Sequence, residues 1–101
     1  MNEHQRKVDE LIREFGGYWG PTEMLAALME EVGELSREIL GMEGVKGEGN
    51  GKKLREELGD VLFALSCIAN HYDVDLLEAL EESIEKYRSR DSRRWEKPTS
   101  T

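Results

Sequence analysis

Four stretches of this chain return an apolar residue every three or four positions, and no window alternates at period two. The stripes are Val8, Leu11, Ile12 and Phe15; Leu25, Leu28, Val32, Leu35 and Ile39; Leu54, Leu58, Val61, Leu65 and Ile68; and Leu77, Leu80, Ile84 and Tyr87. Each is one face of an α-helix. The spacing predicts helices from about Glu3 to Phe15, from Pro21 to Leu40, from Lys52 or Lys53 to about His71, and onward from an Asp75 cap with Glu78 three residues later. "GGYWGP" ends the first helix, and Pro21 suits the first turn of the second, with Gly20 or Thr22 as its cap. Between the second and third, "GMEGVKGEGNGK" holds five glycines and no periodicity, which predicts a mobile loop over about 41–52.

The expected fold is all-α, a single domain over residues 1–101. A chain of this size buries a modest core and leaves apolar surface over, so self-association is expected. No apolar run approaches the roughly 20 residues that span a bilayer, and "MNEHQRKVDE" lacks the basic-then-apolar order of a signal peptide. The expectation is a cytoplasmic protein without a membrane partner. Cys67, the single cysteine, lies in "VLFALSCIA" and reads as a small buried hydrophobe rather than a reactive thiol. A net charge of −8 argues against binding a nucleic-acid polymer. The basic residues gather locally, however: "KYRSRDSRRWEK" holds Lys86, Arg88, Arg90, Arg93, Arg94 and Lys97 against Asp91 and Glu96. Such a tail, over about 88–101, can grip something small and negative.

Nearly the same six letters occur twice, "EEVGEL" from Glu30 and "EELGDV" from Glu56. At 100° per residue, Glu31 lies about 70° and Glu34 about 130° from the centre of the second stripe, both on one flank. Glu57 and Asp60 lie about 80° and 140° from the centre of the third, again on a shared flank. The third stretch is apolar nearly all round, with Phe63, Ala64 and Cys67 beyond its stripe, so its acids are expected to face an interior or a cleft. Carboxylates crowded there raise one another's pKa values unless a cation sits among them. Four oxygen-bearing side chains without a nearby histidine or thiolate suit a hard ion, Mg²⁺ or Mn²⁺, rather than zinc. A di-iron carboxylate bundle would need Glu-x-x-His on two helices, and none is present. Gly33 and Gly59, each costing a helix about 1 kcal/mol, are expected to let the two backbones approach. The plain alternative for any single motif is a solvated acidic face.

These residues resemble a known family. "EEVGEL" followed by "EELGDV" is similar to the all-α nucleoside triphosphate pyrophosphohydrolases of the MazG superfamily, whose signature is a Glu-Glu-x-x-Glu helix and a later Glu-x-x-Asp helix. "GGYWGP", "ANHYDVDLLEAL" and "EKYRSRDSRRW" resemble the short single-domain YpjD-type members. The resemblance implies a four-helix domain that assembles as a homodimer or as a dimer of dimers (a homotetramer). It implies that Glu31, Glu34, Glu57 and Asp60 bind Mg²⁺, with Mn²⁺ as a substitute, and that a nucleoside triphosphate is cleaved between its α and β phosphates in the cleansing of nucleotide pools. Glu34 is the candidate to orient or deprotonate the attacking water, with Glu30 as alternative. Lys86 and Arg90 match the family's basic pair for phosphate oxygens, and Arg94 is a further candidate; the same residues can equally be a solvated basic helix end. Asn70 can touch sugar or phosphate, or simply end its helix. Tyr18 and Trp19 can stack on a base or anchor their loop. Two other functions fit the same acids: a phosphoribosyl-ATP, dUTP or dCTP pyrophosphohydrolase of the same superfamily, and a non-catalytic helical oligomer that binds a structural cation.

Overall fold

The structure is a computed structural model and describes residues 1–90. It contains α1 (Glu3–Glu14), α2 (Pro21–Met42), α3 (Gly51–His71) and α4 (Leu76–Arg90), with no strand among the described residues. The all-α fold expected from periodicity is the one observed. Its boundaries differ by a residue or two: α2 runs past Leu40 to Met42, and α3 starts at Gly51 because Asn50 caps it, its side chain accepting from the Lys53 amide at 2.8 Å. Asn2 caps α1 in the same way. For α4, Asp75 Oδ1 accepts from the amides of Leu77 and Glu78 at 2.9 and 3.1 Å, the expected cap.

Three helices end alike. After α3, the Val74 amide donates to Ala69 O (2.8 Å) and the Asp73 amide to Asn70 O (3.2 Å), with Asp73 left-handed at φ 55°. Gly16 and Gly44 hold the corresponding place after α1 and α2. This paired bonding satisfies carbonyls that the last turn would leave orphaned.

The central contact is α2 against α3, and α1 packs on α3. Met24, Cys67 and Ala69 are the buried apolar side chains among the described residues. The rest of the stripes are only partly covered. Leu58, Leu62 and Leu65 of α3 are 37–59% exposed along one side of the helix, and Phe63, on another face, is 37% exposed, so its own chain leaves α3 partly uncovered. No residue of α4 is buried.

The glycines inside the helices do not have the role expected of them. A Cβ built at Gly33 or Gly59 meets nothing within 4 Å, so the α2–α3 approach does not require either. The close approach lies instead at the connection between these helices. A Cβ at Gly41 would fall 2.7 Å from the backbone of Glu48 and Gly49, and one at Gly49 would fall 2.6 Å from Met42 N and 2.7 Å from Glu38 O. The glycine-rich segment thus crosses itself where it leaves α2 and where it enters α3. Buried Glu38 fastens the crossing, its carboxylate accepting from the Asn50 amide at 2.8 Å.

Candidate active site

The α2–α3 pairing brings the two acidic motifs together. Carboxylate oxygens of Glu31, Glu57 and Asp60 lie within 4.8 Å of one another. Glu57 is 3% exposed; Lys53, one turn earlier, places its Nζ 3.1 Å from Glu57 Oε1, while Glu57 Oε2 is buried without a hydrogen-bond partner. Burial pushes the Glu31 carboxyl above its ordinary pKa, and the charges of Asp60 and Glu57 push it further. Lys53 is raised in turn by its hydrogen bond to Glu57. A buried carboxylate oxygen with no donor, on a residue grouped with two further carboxylates, gives an all-oxygen donor set of the kind a hard cation takes.

Beside the acids opens a cleft of about 530 Å³. Glu31 and Asp60 contribute to its lining; the remainder is largely apolar, including Ile12, Phe15, Trp19, Met24, Phe63 and Cys67. Cys67 is 8% exposed, and desolvation raises its thiol pKa, consistent with a packing role. Tyr18 and Trp19 both line the cleft, and Tyr18 is also anchored: its hydroxyl donates to Asp9 Oδ1 at 2.5 Å and accepts from Asn70 Nδ2 at 3.1 Å.

The other sequence candidates fall elsewhere. Glu34 is not part of the close carboxylate group; both its oxygens sit 3.2 Å from Arg37 Nη1, one turn along α2. Glu30 is exposed beside Glu31. Asn70 is held by Gln5 and Tyr18 and does not line the cleft. Lys86 and Arg90 are exposed on α4 and do not line it either; the Lys86 ammonium lies 4.8 Å from the centroid of the Tyr87 ring. Arg94 lies outside the described residues, as does the tail beyond Arg90. Besides Ser66, whose hydroxyl donates to Leu62 O within its own helix, two buried polar residues escaped the sequence reading, Gln5 and Glu38. Each carried a faint signal: Gln5 precedes Val8 and Ile12 at stripe spacing, and Glu38 follows Glu31 by seven residues on the same flank.

An open, largely apolar cleft ending in carboxylates from two packed helices has room for a ligand with an apolar part and oxygen donors that can take a hard cation. Comparison with known proteins gives the family. The profile of the MazG nucleotide pyrophosphohydrolase domain matches residues 20–95, and the chain belongs to this family. It is 42% identical over 99 residues to YpjD of Bacillus subtilis (strain 168), a protein named as uncharacterized; the match covers 94% of this chain and 89% of YpjD. The crystal structure of Bacillus subtilis YpjD superposes with a TM-score of 0.79 at 43% identity, covering 89% of this chain and 94% of that one. A Bacillus-conserved MazG protein, a nucleotide pyrophosphohydrolase, superposes with a TM-score of 0.76 at 39% identity, covering 87% and 88%. No helix among the described residues is long and apolar enough to cross a membrane.

Proposed function

We propose that this protein is a Mg²⁺-dependent nucleoside triphosphate pyrophosphohydrolase that cleaves between the α and β phosphates, releasing a nucleoside monophosphate and pyrophosphate. The observation that carries the proposal is the buried, partnerless Oε2 of Glu57 beside Glu31 and Asp60. The donor set is carboxylate throughout, which favours Mg²⁺ or Mn²⁺ over zinc. Bound there, the ion supplies positive charge against phosphate oxygens and acidifies water. Such charge is needed, because a chain of net −8 otherwise repels a triphosphate.

The chain's own residues divide the remaining work. Glu31, Glu57 and Asp60 hold the cation. Glu34, one turn beyond Glu31, is the candidate fourth ligand or the base that takes the proton from attacking water, and Glu30 is the substitute. Glu34 must leave Arg37 to do either. Trp19 and Phe63 offer an apolar wall for the nucleoside; Lys86 and Arg90, which stand on α4 and do not line this cleft, are the family-matched donors for phosphate oxygens and have to reach them from outside it. We infer assembly as a dimer or dimer of dimers, since Leu58, Leu62 and Leu65 of α3 and Leu77, Leu80 and Ile84 of α4 leave more apolar surface exposed than a monomer keeps. A cytoplasmic nucleotide pool is the setting this reading implies.

The test is release of pyrophosphate and monophosphate from a panel of canonical and modified nucleoside triphosphates, with dUTP, dCTP and phosphoribosyl-ATP included, in Mg²⁺, in Mn²⁺ and in chelator. Equimolar products that appear only with a divalent ion are expected. Orthophosphate as the sole product, turnover undiminished by chelator, or no turnover of any member would overturn the proposal.

A further inference from the structure

The segment that joins α1 to α2 carries Tyr18 and Trp19, which both line the cleft, yet its backbone is little restrained. Backbone hydrogen bonds stop at the Gly17 amide, which donates to Ile12 O, and resume at Gly20 O, which accepts from Met24. Between them the hydrogen bonds are made by the hydroxyl of Tyr18, whose ring centroid also lies 6.0 Å from the Arg13 guanidinium. The hydroxyl donates to Asp9 Oδ1, whose other oxygen is held by Arg13 Nε at 3.0 Å, and it accepts from Asn70 Nδ2.

Asn70 is itself immobilised. Its Nδ2 also donates to the backbone carbonyl of Gln5 (2.9 Å), and its Oδ1 accepts from Gln5 Nε2 (2.9 Å). Gln5 is 1% exposed and makes every side-chain bond an amide needs: Nε2 donates to Asn70 Oδ1 and to Val74 O (2.8 Å), while Oε1 accepts from the Leu76 amide and Asn2 Nδ2, both at 2.7 Å. A continuous chain of hydrogen bonds therefore runs from the entrance of α4 through Gln5 and Asn70 to the Tyr18 hydroxyl. Both amide hydrogens of Asn70 are spent within it, which leaves no donor for a phosphate or a sugar.

We propose that Asn70 and Gln5 are positioning residues for nucleotide binding, acting through Tyr18 rather than touching the ligand. The inference rests on the proposed nucleotide site and adds how its aromatic wall is held. With the clamp intact, Tyr18 and Trp19 keep one arrangement over the cleft before a ligand arrives, so binding does not first have to order them. Without it, the cleft keeps its acids but loses a preformed wall, and the loss falls on KM rather than on kcat.

A double-mutant cycle separates this from direct contact. Tyr18→Phe keeps the ring and removes the hydroxyl; Asn70→Ala removes the clamp from the other side; each is measured alone and combined, with the nucleotide that the wild type turns over fastest. Each single change is expected to raise KM roughly three- to tenfold, the weight of one hydrogen bond, with kcat within about twofold. The double variant is expected to match the worse single one. If Asn70→Ala still raises KM in the Tyr18→Phe background, Asn70 meets the ligand itself and the proposal fails. It fails equally if Tyr18→Phe, the variant least able to disturb folding, leaves KM unchanged. Should the wild type turn over no nucleotide, the proposed reaction is what has failed; the same cycle is then read as the dissociation constant of a nucleoside monophosphate, from Trp19 fluorescence in a Trp95→Phe background. No response there overturns the clamp as well.

Discussion

Glu57→Gln tests the carboxylate triad from both directions, because the same change should stabilise the metal-free protein and cripple the enzyme. The substitution keeps the shape of the side chain. Its amide oxygen can still accept from Lys53 at the 3.1 Å position, and its amide nitrogen replaces the buried oxygen that has no partner. The repulsion of Glu57 with Glu31 and with Asp60 is removed: at the 4.8 Å limit of the group, the Glu57–Glu31 pair alone costs between about 0.9 kcal/mol in water and about 3.5 kcal/mol at an effective dielectric of 20. A weakened Lys53 contact offsets part of this, so a net gain of about 1 kcal/mol is expected, or a Tm higher by about 4–8 °C in chelator. Magnesium at 100 times its Kd should stabilise the wild type by about 2.7 kcal/mol, roughly 10–20 °C. Loss of a direct ligand weakens the ion at least about 100-fold, which leaves about 0.4 kcal/mol and a shift of some 2–3 °C at the same concentration. Calorimetry with and without Mg²⁺, paired with a pyrophosphate assay, reads all three quantities. Turnover should fall by at least about two orders of magnitude. An undiminished Mg²⁺ shift together with wild-type turnover would show that the triad is not the metal site. A lower Tm in chelator would show that the Lys53 ion pair outweighs the crowding of acids.

Glycine substitutions should divide cleanly by position. Gly41→Ala and Gly49→Ala each drive a Cβ to within 2.7 Å of backbone and should cost roughly 1–3 kcal/mol, whereas Gly33→Ala and Gly59→Ala meet open space and should gain up to about 1 kcal/mol; urea midpoints that do not separate these pairs would refute the crossing. Stability in chelator should also depend on pH in two senses. Folded Glu31 holds its proton to higher pH than the unfolded chain does, so its contribution is fully present below the unfolded carboxylate range and is lost as pH rises through the raised folded value. Asp9, lowered by its hydrogen bonds from Tyr18 and then Arg13, stabilises above the unfolded range and loses that contribution as pH falls through its folded value. Melting curves from acid to neutral pH should therefore show Tm rising and then falling, and Glu31→Gln should abolish the fall alone.

Most of the helical frame was legible because stripe spacing is a property of a single helix. The stripe of Leu54 to Ile68 and the capping residue Asp75 each announce themselves without reference to any partner. The same holds for the flank shared by Glu57 and Asp60, since a wheel needs only one helix. What depends on two segments meeting was read poorly. Gly33 and Gly59 looked like contact points because they sit inside helices, but the contact falls at Gly41 and Gly49, eight residues apart in sequence and folded back on one another. Gln5 lies in "EHQRK", where its spacing to Val8 and Ile12 is the one hint, and its burial follows from the carbonyl of Val74 and the amide of Leu76, about seventy residues away.

The crossing at Gly41 and Gly49 also fixes the phase between the two acidic helices. A residue inserted between Met42 and Glu48 only enlarges a closed bight, at a cost that grows slowly with loop length. One inserted between Asn50 and Glu57 turns everything after it by about 100°, carrying Glu57 and Asp60 away from Glu31. Length variation should therefore be tolerated inside the crossing and forbidden beyond it, so that a glycine contact well removed from the chemistry acts as the gauge that keeps two half-sites in step.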